Sequence, residues 1–401
     1  MANNTNMIQA KKNKNDEFYT QYADIEAEMN AYVEYNPDVF RDKTILLPCD
    51  DPEWSNFTRY FALNFERFGL KKLISTSYAH SWGNQQISMF EMISPQFDET
   101  KHETRGKLFT LTKDTDNSGR IDTDDIEFNN YLEGDGDFRS EEVTALRDEA
   151  DIIITNPPFS LFREFVVWIL EGRKDFIIIG NQSAITNKEF FPFLQENRVW
   201  LGYSIHSGDR KFNVPDDYPL EASTCGVDPD GRKYIRVKGV RWFTNIEHGQ
   251  RHEWLQLDTK EHNLKYNKKL KKHLAEYGYT DYPRYDNYDA IDVKFTECIP
   301  SDYDELMGVP ITFMDKYNPD QFELVGIPTA GSNKDSLNLN NDYRTYIGYT
   351  QEGKPTGRTG STFGACPVFE RNDHKTIYYT NGKRTVQAGS CERIFIRRKE
   401  R

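Results

Sequence analysis

"DIIITNPPFSLFREFVVWILEGRKDFIIIGN", residues 151–181, reads as strand, helix and strand in succession. "DIIIT" is a short β-branched run that stops at an asparagine and two prolines. "SLFREFVVWILEG" spaces its apolar residues as an amphipathic helix does, and "DFIIIGN" is a second buried-looking strand. Two such strands joined through a helix must lie parallel. The pattern extends upstream. A helix is expected from Asp16 to about Tyr35, then a strand at Thr44–Leu47 that breaks at Pro48 into a loop and a helix running through Phe68. "KKLISTSY" and "GKLFTLTK" read as further strands, and Glu141 to Ala150 as another helix. This alternation implies an α/β fold, a doubly wound and mostly parallel Rossmann-like sheet. Residues 246–401 lose the alternation and are richer in Tyr, Gly, Asn and basic residues. The expected division is therefore 1–245, with an acidic insertion at about 107–136, and a second domain at 246–401.

A chain of 401 residues is long enough for two cores. No apolar run approaches the length of a membrane span, and the first twenty residues lack the apolar centre of a secretory signal. The five cysteines are scattered without a CxxC pair, which fits a reducing cytoplasm and speaks against a zinc site or a disulfide framework. The net charge of -13 is unevenly spread. Residues 1–160 carry 16 Lys/Arg against 30 Asp/Glu, residues 230–285 carry 13 against 7, and residues 343–401 carry 12 against 5. An acidic first part and a basic second part allow a polyanionic partner despite the overall sign. Taken singly, "KYNKKLKKHL" (265–274) and the C-terminal "RRKER" also read as solvated surface.

The Asn156-Pro157-Pro158-Phe159 turn carries the chemistry. Strand ends at the carboxyl edge of an open α/β sheet are where such folds hold ligands. Pro157 restricts Asn156 to extended backbone, and the two rings fix φ along the turn. The asparagine amide oxygen and the neighbouring carbonyl thus form a rigid pair of acceptors, matched to the two N–H donors of an exocyclic amine. Phe159 offers a flat face on which a heterocycle can stack. As a bare tetrapeptide, the same stretch is also an ordinary loop start with a core phenylalanine.

Asn-Pro-Pro-Phe after a hydrophobic strand resembles the catalytic motif of adenine-N6 methyltransferases that use S-adenosylmethionine. The wider pattern is most similar to the EcoRI-type adenine-specific DNA methyltransferases. The matching stretches are "DEFYTQ" (16–21), "ILLPCDDPEWSNF" (45–57), "GDGDFRS" (134–140), "VRWFTN" (240–245) and "MGVPITFMDKYNPDQFELVG" (307–326). The resemblance implies a catalytic turn at Asn156, Pro157, Pro158 and Phe159, with Asn156 also beside the cofactor. It nominates Asp16, Phe18, Tyr19 and Thr20 for the methionine end of S-adenosylmethionine, and Pro48, Cys49 and Asp50 for the first cofactor loop. In that loop the usual G-x-G turn is missing, with Asp51, Pro52 and Glu53 in its place. Asp137 and Phe138 would accept from, and pack on, the cofactor's adenine. Trp242 and Phe243 would give the target base a second aromatic face. Each residue also has a plain structural reading: a helix cap for Asp16, a core residue for Cys49, a turn former for Asp137, a buried strand pair for Trp242 and Phe243.

A methyl on sulfonium sulfur is already activated, so direct in-line displacement by the amine needs positioning rather than proton abstraction. In duplex DNA the adenine must first be flipped out. The expected activity is sequence-specific adenine-N6 methylation of double-stranded DNA by a cytoplasmic, monomeric enzyme, with a restriction endonuclease as a compatible partner and no membrane association. RNA adenine, a protein glutamine amide, or a catalytically weak nucleic-acid-binding module are the alternatives. "DTDNSGRIDTDD" (114–125) places acidic or hydroxyl residues at EF-hand-like positions, but a strand precedes it and position 12 is Asp. It reads as an acidic hairpin, and no metal is expected.

Overall fold

The computed structural model describes residues 19–79, 89–206, 208–214, 220, 223–328, 343–360, 366–371 and 377–399. The chain forms two compact units, Met1–Asn181 with Trp200–Gly249, and Gln182–Val199 with Gln250–Arg401. No helix among the described residues is long and apolar enough to cross a membrane.

In the first unit the elements run α1 (Tyr22–Tyr35), β1 (Thr44–Leu47), α2 (Asn56–Leu63), β2 (Lys72–Ser77), β3 (Lys107–Leu111), β4 (Glu127–Tyr131), α3 (Glu141–Glu149), β5 (Ile152–Thr155), α4 (Phe162–Glu171) and β6 (Asp175–Asn181). After the segment given to the second unit come β7 (Trp200–Leu201), β8 (Asp209–Asn213), β9 (Cys225–Val227), β10 (Lys233–Lys238) and β11 (Val240–Thr244). Eight strands form one sheet in the order β4-β3-β2-β1-β5-β6-β11-β7. Its four central strands, β2, β1, β5 and β6, are parallel, and antiparallel strands extend both edges.

The central strands are apolar along their length because both faces are covered. Ile45, Leu47, Ile152, Ile154, Ile177 and Ile179 pack with Ile25, Met29 and Tyr32 of α1 and Phe57, Tyr60 and Phe61 of α2. By the two-residue period of a strand, Leu46, Ile153 and Ile178, all 0% exposed, belong to the opposite face. From β1 the chain moves outward to β2 and then returns to the other side of β1 as β5. The carboxyl ends of β1 and β5 therefore sit side by side at the sheet's topological switch point, the usual ligand crevice of such folds.

Two expectations are refined here. The first helix begins at Tyr22, so Thr20 lies ahead of it rather than within it, and Asp16 and Phe18 lie outside the described residues. The stretch at 114–125 joins β3 to β4, so strands flank it on both sides. Carboxylate oxygens of Asp114, Asp116 and Asp125 lie within 4.8 Å of one another. They accept from amides of the same loop, among them Gly119 N to Asp114 (2.8 Å), Ser118 N to Asp116 (2.8 Å) and Thr115 N to Asp125 (2.6 Å).

The second unit contains α5 (Phe191–Gln195), α6 (Lys260–Tyr266), α7 (Lys268–Tyr277), β12 (Ile291–Asp292), β13 (Met307–Pro310), β14 (Phe322–Gly326), β15 (Ile347–Tyr349), β16 (Pro355–Thr359), β17 (Val368–Glu370), β18 (Tyr378–Thr380), β19 (Thr385–Ala388) and β20 (Arg393–Arg398). One sheet runs β12-β13-β20-β14 and the other β16-β15-β18-β19-β17. Gln195 ties α5 to β14 through bonds to the carbonyls of Leu324 and Val325, which draws a segment from mid-chain into this unit. On α7, Leu270 and Leu274 are buried while Lys268, Lys269, Lys271 and Lys272 are exposed.

The cysteine reading is corrected in one respect: Cys366 and Cys391 form a disulfide. They are 25 residues apart and lie at the end of the β17–β19 ladder, beside the bond from Gly389 N to Pro367 O (2.7 Å). Long-range strand pairing, invisible in the spacing, brings their Cα atoms to 4.9 Å.

Candidate active site

Pro48, Cys49 and Asp50 follow β1, and Asn156 follows β5, so the switch point places them together. Tyr19, Thr20, Cys49, Asp50, Ser55, Asn56, Phe57 and Asn156 line one small cavity. Four separate chain segments build it. Tyr19 is held by a two-way backbone bridge to Asn213 of β8 (2.9 and 3.0 Å), and Asn56 Nδ2 donates to the Thr20 carbonyl (2.7 Å). Thr20 is 3% exposed, and its hydroxyl has no hydrogen-bond partner. A buried hydroxyl left unsatisfied beside a cavity suits a polar ligand, since burial without a bond costs roughly 1–3 kcal/mol.

The first loop turns without glycine because Cys49 itself takes the left-handed conformation, at φ 73°. Asp50 then returns to ordinary structure as a hub. Its amide donates to Thr76 O of β2 (2.8 Å), and its carbonyl accepts from the Ser75 hydroxyl. One carboxylate oxygen accepts from Ser55 Oγ (2.7 Å), and the other lies 2.6 Å from Thr155 Oγ1. Ser55 in turn caps α2 by accepting from the amides of Phe57 (3.1 Å) and Thr58 (3.3 Å). Next in the chain, burial pushes the Asp51 carboxyl above its ordinary range, against the opposing bond from the Glu53 amide.

At the end of β5, Pro157 is buried while Asn156, Pro158 and Phe159 are half-buried. Pro158 O accepts from Leu161 N (2.9 Å), which starts the short turn into α4. The Phe159 ring meets Phe212 of β8 edge-on at 6.2 Å. Phe212, Asn213, Ser55, Asn56 and Phe57 had not been singled out from the sequence. Serine before a helical run in "EWSNF" is a capping signal that could have flagged Ser55. Nothing local marks Phe212 or Asn213, which reach the site only through tertiary pairing.

Other nominated residues do not line that cavity. The "GDGD" loop does stand at the end of β2: Ala79 N donates to Asp135 O (2.7 Å), and Tyr78 OH donates to the Asp135 carboxylate (2.8 Å). Asp137, however, accepts from the Arg139 amide (2.9 Å) and guanidinium (2.9 and 2.5 Å). Phe138 is 3% exposed and packs on Phe165 (4.9 Å) and Trp168 (5.5 Å) of α4, so its ring is core rather than a free stacking face. Trp242 and Phe243 are 1% and 0% exposed in β11, which is paired on both sides. Trp242 meets Phe57 edge-on (6.0 Å), and Phe243 packs on Phe162 (5.0 Å). The expectation of a second base-stacking face in this pair is therefore revised: a strand interior to the sheet leaves neither ring free.

The sequence profile of a family described as "Adenine-specific methyltransferase EcoRI" matches residues 6–364. The chain is 40% identical to the Type II methyltransferase M.EcoRI of Escherichia coli over 79% of its own length and 87% of that protein's. It is 32% identical to the Type II methyltransferase M.MpnI of Mycoplasma pneumoniae, over 77% and 82% respectively. A Type II methyltransferase of Mycoplasma genitalium is 34% identical over the same shares. No solved structure matches the chain.

Proposed function

Because the chain belongs to the EcoRI family of adenine-specific methyltransferases, whose relatives act as Type II enzymes, we propose that it methylates adenine N6 in duplex DNA at the Asn156-Pro157-Pro158-Phe159 turn. The enzyme is a sequence-specific DNA methyltransferase. The observation that carries the assignment of the site is the convergence of Tyr19, Thr20, Cys49, Asp50 and Asn156 on one cavity at the switch point.

The methyl donor is S-adenosylmethionine, which when bound supplies a methyl group on sulfonium sulfur. The residues fit it: a buried hydroxyl with an open bond at Thr20, and the walls contributed by Tyr19, Cys49 and Asn156. Asn156 Oδ1 and the Pro157 carbonyl would accept from the two N–H groups of the target amine and orient its lone pair. As positive charge develops on that nitrogen, the same two acceptors stabilise it. Phe159 stacks on the flipped adenine while Phe212 buttresses its edge. Asp137, in the loop at the end of β2, is the acceptor nominated for the cofactor's adenine amino group; its carboxylate is also held by Arg139, and Phe138 packs on Phe165.

The second unit is the target-recognition region. The exposed lysines of α7 and the basic residues near the C-terminus suit phosphate contacts. A restriction endonuclease that shares its site is a compatible partner.

Transfer of labelled methyl from S-adenosylmethionine to an adenine-containing duplex tests the site. Asn156→Ala is expected to lower kcat by about 10²–10³-fold, the scale for removing one preorganised transition-state partner. Phe159→Ala removes base stacking worth about 1–3 kcal/mol and is expected to raise KM for DNA as well. Near-wild-type transfer by both folded variants would refute the assignment.

A further inference from the structure

We infer that Thr155 is a positioning residue that locks the catalytic turn to the first cofactor loop through the Asp50 carboxylate. The inference rests on the methyl-transfer reading of Asn156 and concerns a residue outside the Asn-Pro-Pro-Phe motif. Thr155 is the last residue of β5 and is 0% exposed. Its hydroxyl lies 2.7 Å from Pro48 O and 2.6 Å from Asp50 Oδ2, so its one proton is shared between two acceptors at the start of the loop that follows β1. The far oxygen of the same carboxylate is held by Ser55 Oγ at 2.7 Å. Thr58 and Ser75, 1% and 2% exposed, hold the Asp50 carbonyl from below. Asp50 itself is 6% exposed. Both loops are thereby keyed to one buried carboxylate.

The consequence for Asn156 follows from chain geometry. On its far side Pro157 removes one backbone freedom and confines Asn156 to extended conformations. On its near side the Thr155 hydroxyl fixes the strand end. Only the Asn156 dihedrals remain between two anchored points, so the acceptor pair is placed relative to Cys49 and Asp50. Small displacements matter, because a shift of about 1 Å in a reacting group can cost about 10²-fold in rate. A valine at this position keeps the branched shape that β-strands favour and loses the hydroxyl. Serine keeps the hydroxyl and loses the methyl.

Thr155→Val and Thr155→Ser are compared with wild type in three measurements. In single-turnover methylation of duplex DNA, Thr155→Val is expected to slow transfer about 10–100-fold, with Thr155→Ser within about threefold of wild type. Calorimetric titration with S-adenosylmethionine is expected to keep Kd within about threefold in both variants, which separates positioning from cofactor affinity. Hydrogen exchange of the apoprotein is expected to quicken about tenfold across residues 150–162 in Thr155→Val alone. If Thr155→Val fails to fold, Thr155→Ala lacks the same hydroxyl and carries the comparison. Wild-type rate and exchange in the hydroxyl-free variant would overturn the inference. So would a Thr155→Ser defect as deep as that of valine, or a Kd weakened in proportion to the rate. A wild-type protein that transfers no methyl, with exchange responding as stated, would instead refute the reaction and leave the clamp standing.

Discussion

Cys49 offers a test of how the first loop turns without glycine. At φ 73° a residue with a Cβ costs roughly 1–2 kcal/mol relative to glycine. Glycine gives back roughly 0.5–1 kcal/mol through the freedom it loses on folding. At this position Cys49→Gly should therefore be more stable than Cys49→Ala by about 0.5–1 kcal/mol. At an ordinary φ the order is the reverse, because there glycine carries only the entropic cost. Comparing two variants that both lack the thiol cancels whatever the sulfur contributes. For a unit of this size about 1 kcal/mol moves Tm by roughly 2–4 °C, so Cys49→Gly is expected to melt about 1–4 °C above Cys49→Ala. Differential scanning calorimetry, with urea unfolding as a second probe, reads this directly. An alanine variant as stable as the glycine variant, or more so, would refute the claim that the loop stores left-handed strain at Cys49.

Two further outcomes follow from buried groups beside the sheet. Glu91, 0% exposed, accepts from Lys107 Nζ (2.6 Å) and Tyr131 OH (2.6 Å) and lies 2.9 Å from His102 Nδ1. Burial acts to raise its pKa, but these bonds outweigh it and hold the carboxyl below the usual 4.5. A depressed folded value contributes stability above the unfolded pKa that is lost as pH falls through the folded one. Glu91→Gln is thus expected to cost about 3–5 kcal/mol at neutral pH by stranding Lys107. The gap to wild type in urea midpoints should close in acid below about pH 4.5; a gap constant down to about pH 3 would contradict this. Gly136, at φ 88°, would place a Cβ 2.4 Å from Ser77 O, whereas Gly119, at φ 87°, has nothing within 4 Å. Gly136→Ala is expected to destabilise by about 2–5 kcal/mol and Gly119→Ala by only about 1–2 kcal/mol. Equal losses would show that the "GDGD" loop does not need its close approach to β2.

The parallel centre of the sheet was legible because its strands are buried on both faces and so read as unbroken apolar runs between helical periods. "DFIIIGN" matches β6 residue for residue, and "DIIIT" ends where β5 does. The Asn-Pro-Pro-Phe turn was legible for a similar reason: two prolines after a buried strand leave few conformations. The edge strand β4 and the separate three-stranded sheet β8-β10-β9 were not, since these strands are short and largely polar, and show neither an apolar run nor a clean alternation. Phe138, Trp242 and Phe243 show the same limit from the other direction. An aromatic in a motif looks alike whether it faces a ligand or a helix, and only packing against Phe165, Trp168, Phe57 and Phe162 distinguishes the two.

Local chemistry in the chain thus determined the parallel core, the Asn-Pro-Pro-Phe turn and the family, because each depends on residues close together in sequence. Tertiary structure alone decided that Cys49 replaces a glycine, that Cys366 reaches Cys391, and that Thr155, Asp50 and Ser55 form one knot. Those relations join positions that become neighbours only when β1 and β5 meet at the switch point or when β17 pairs with β19. No spacing along the chain encodes such distances; the sheet order does.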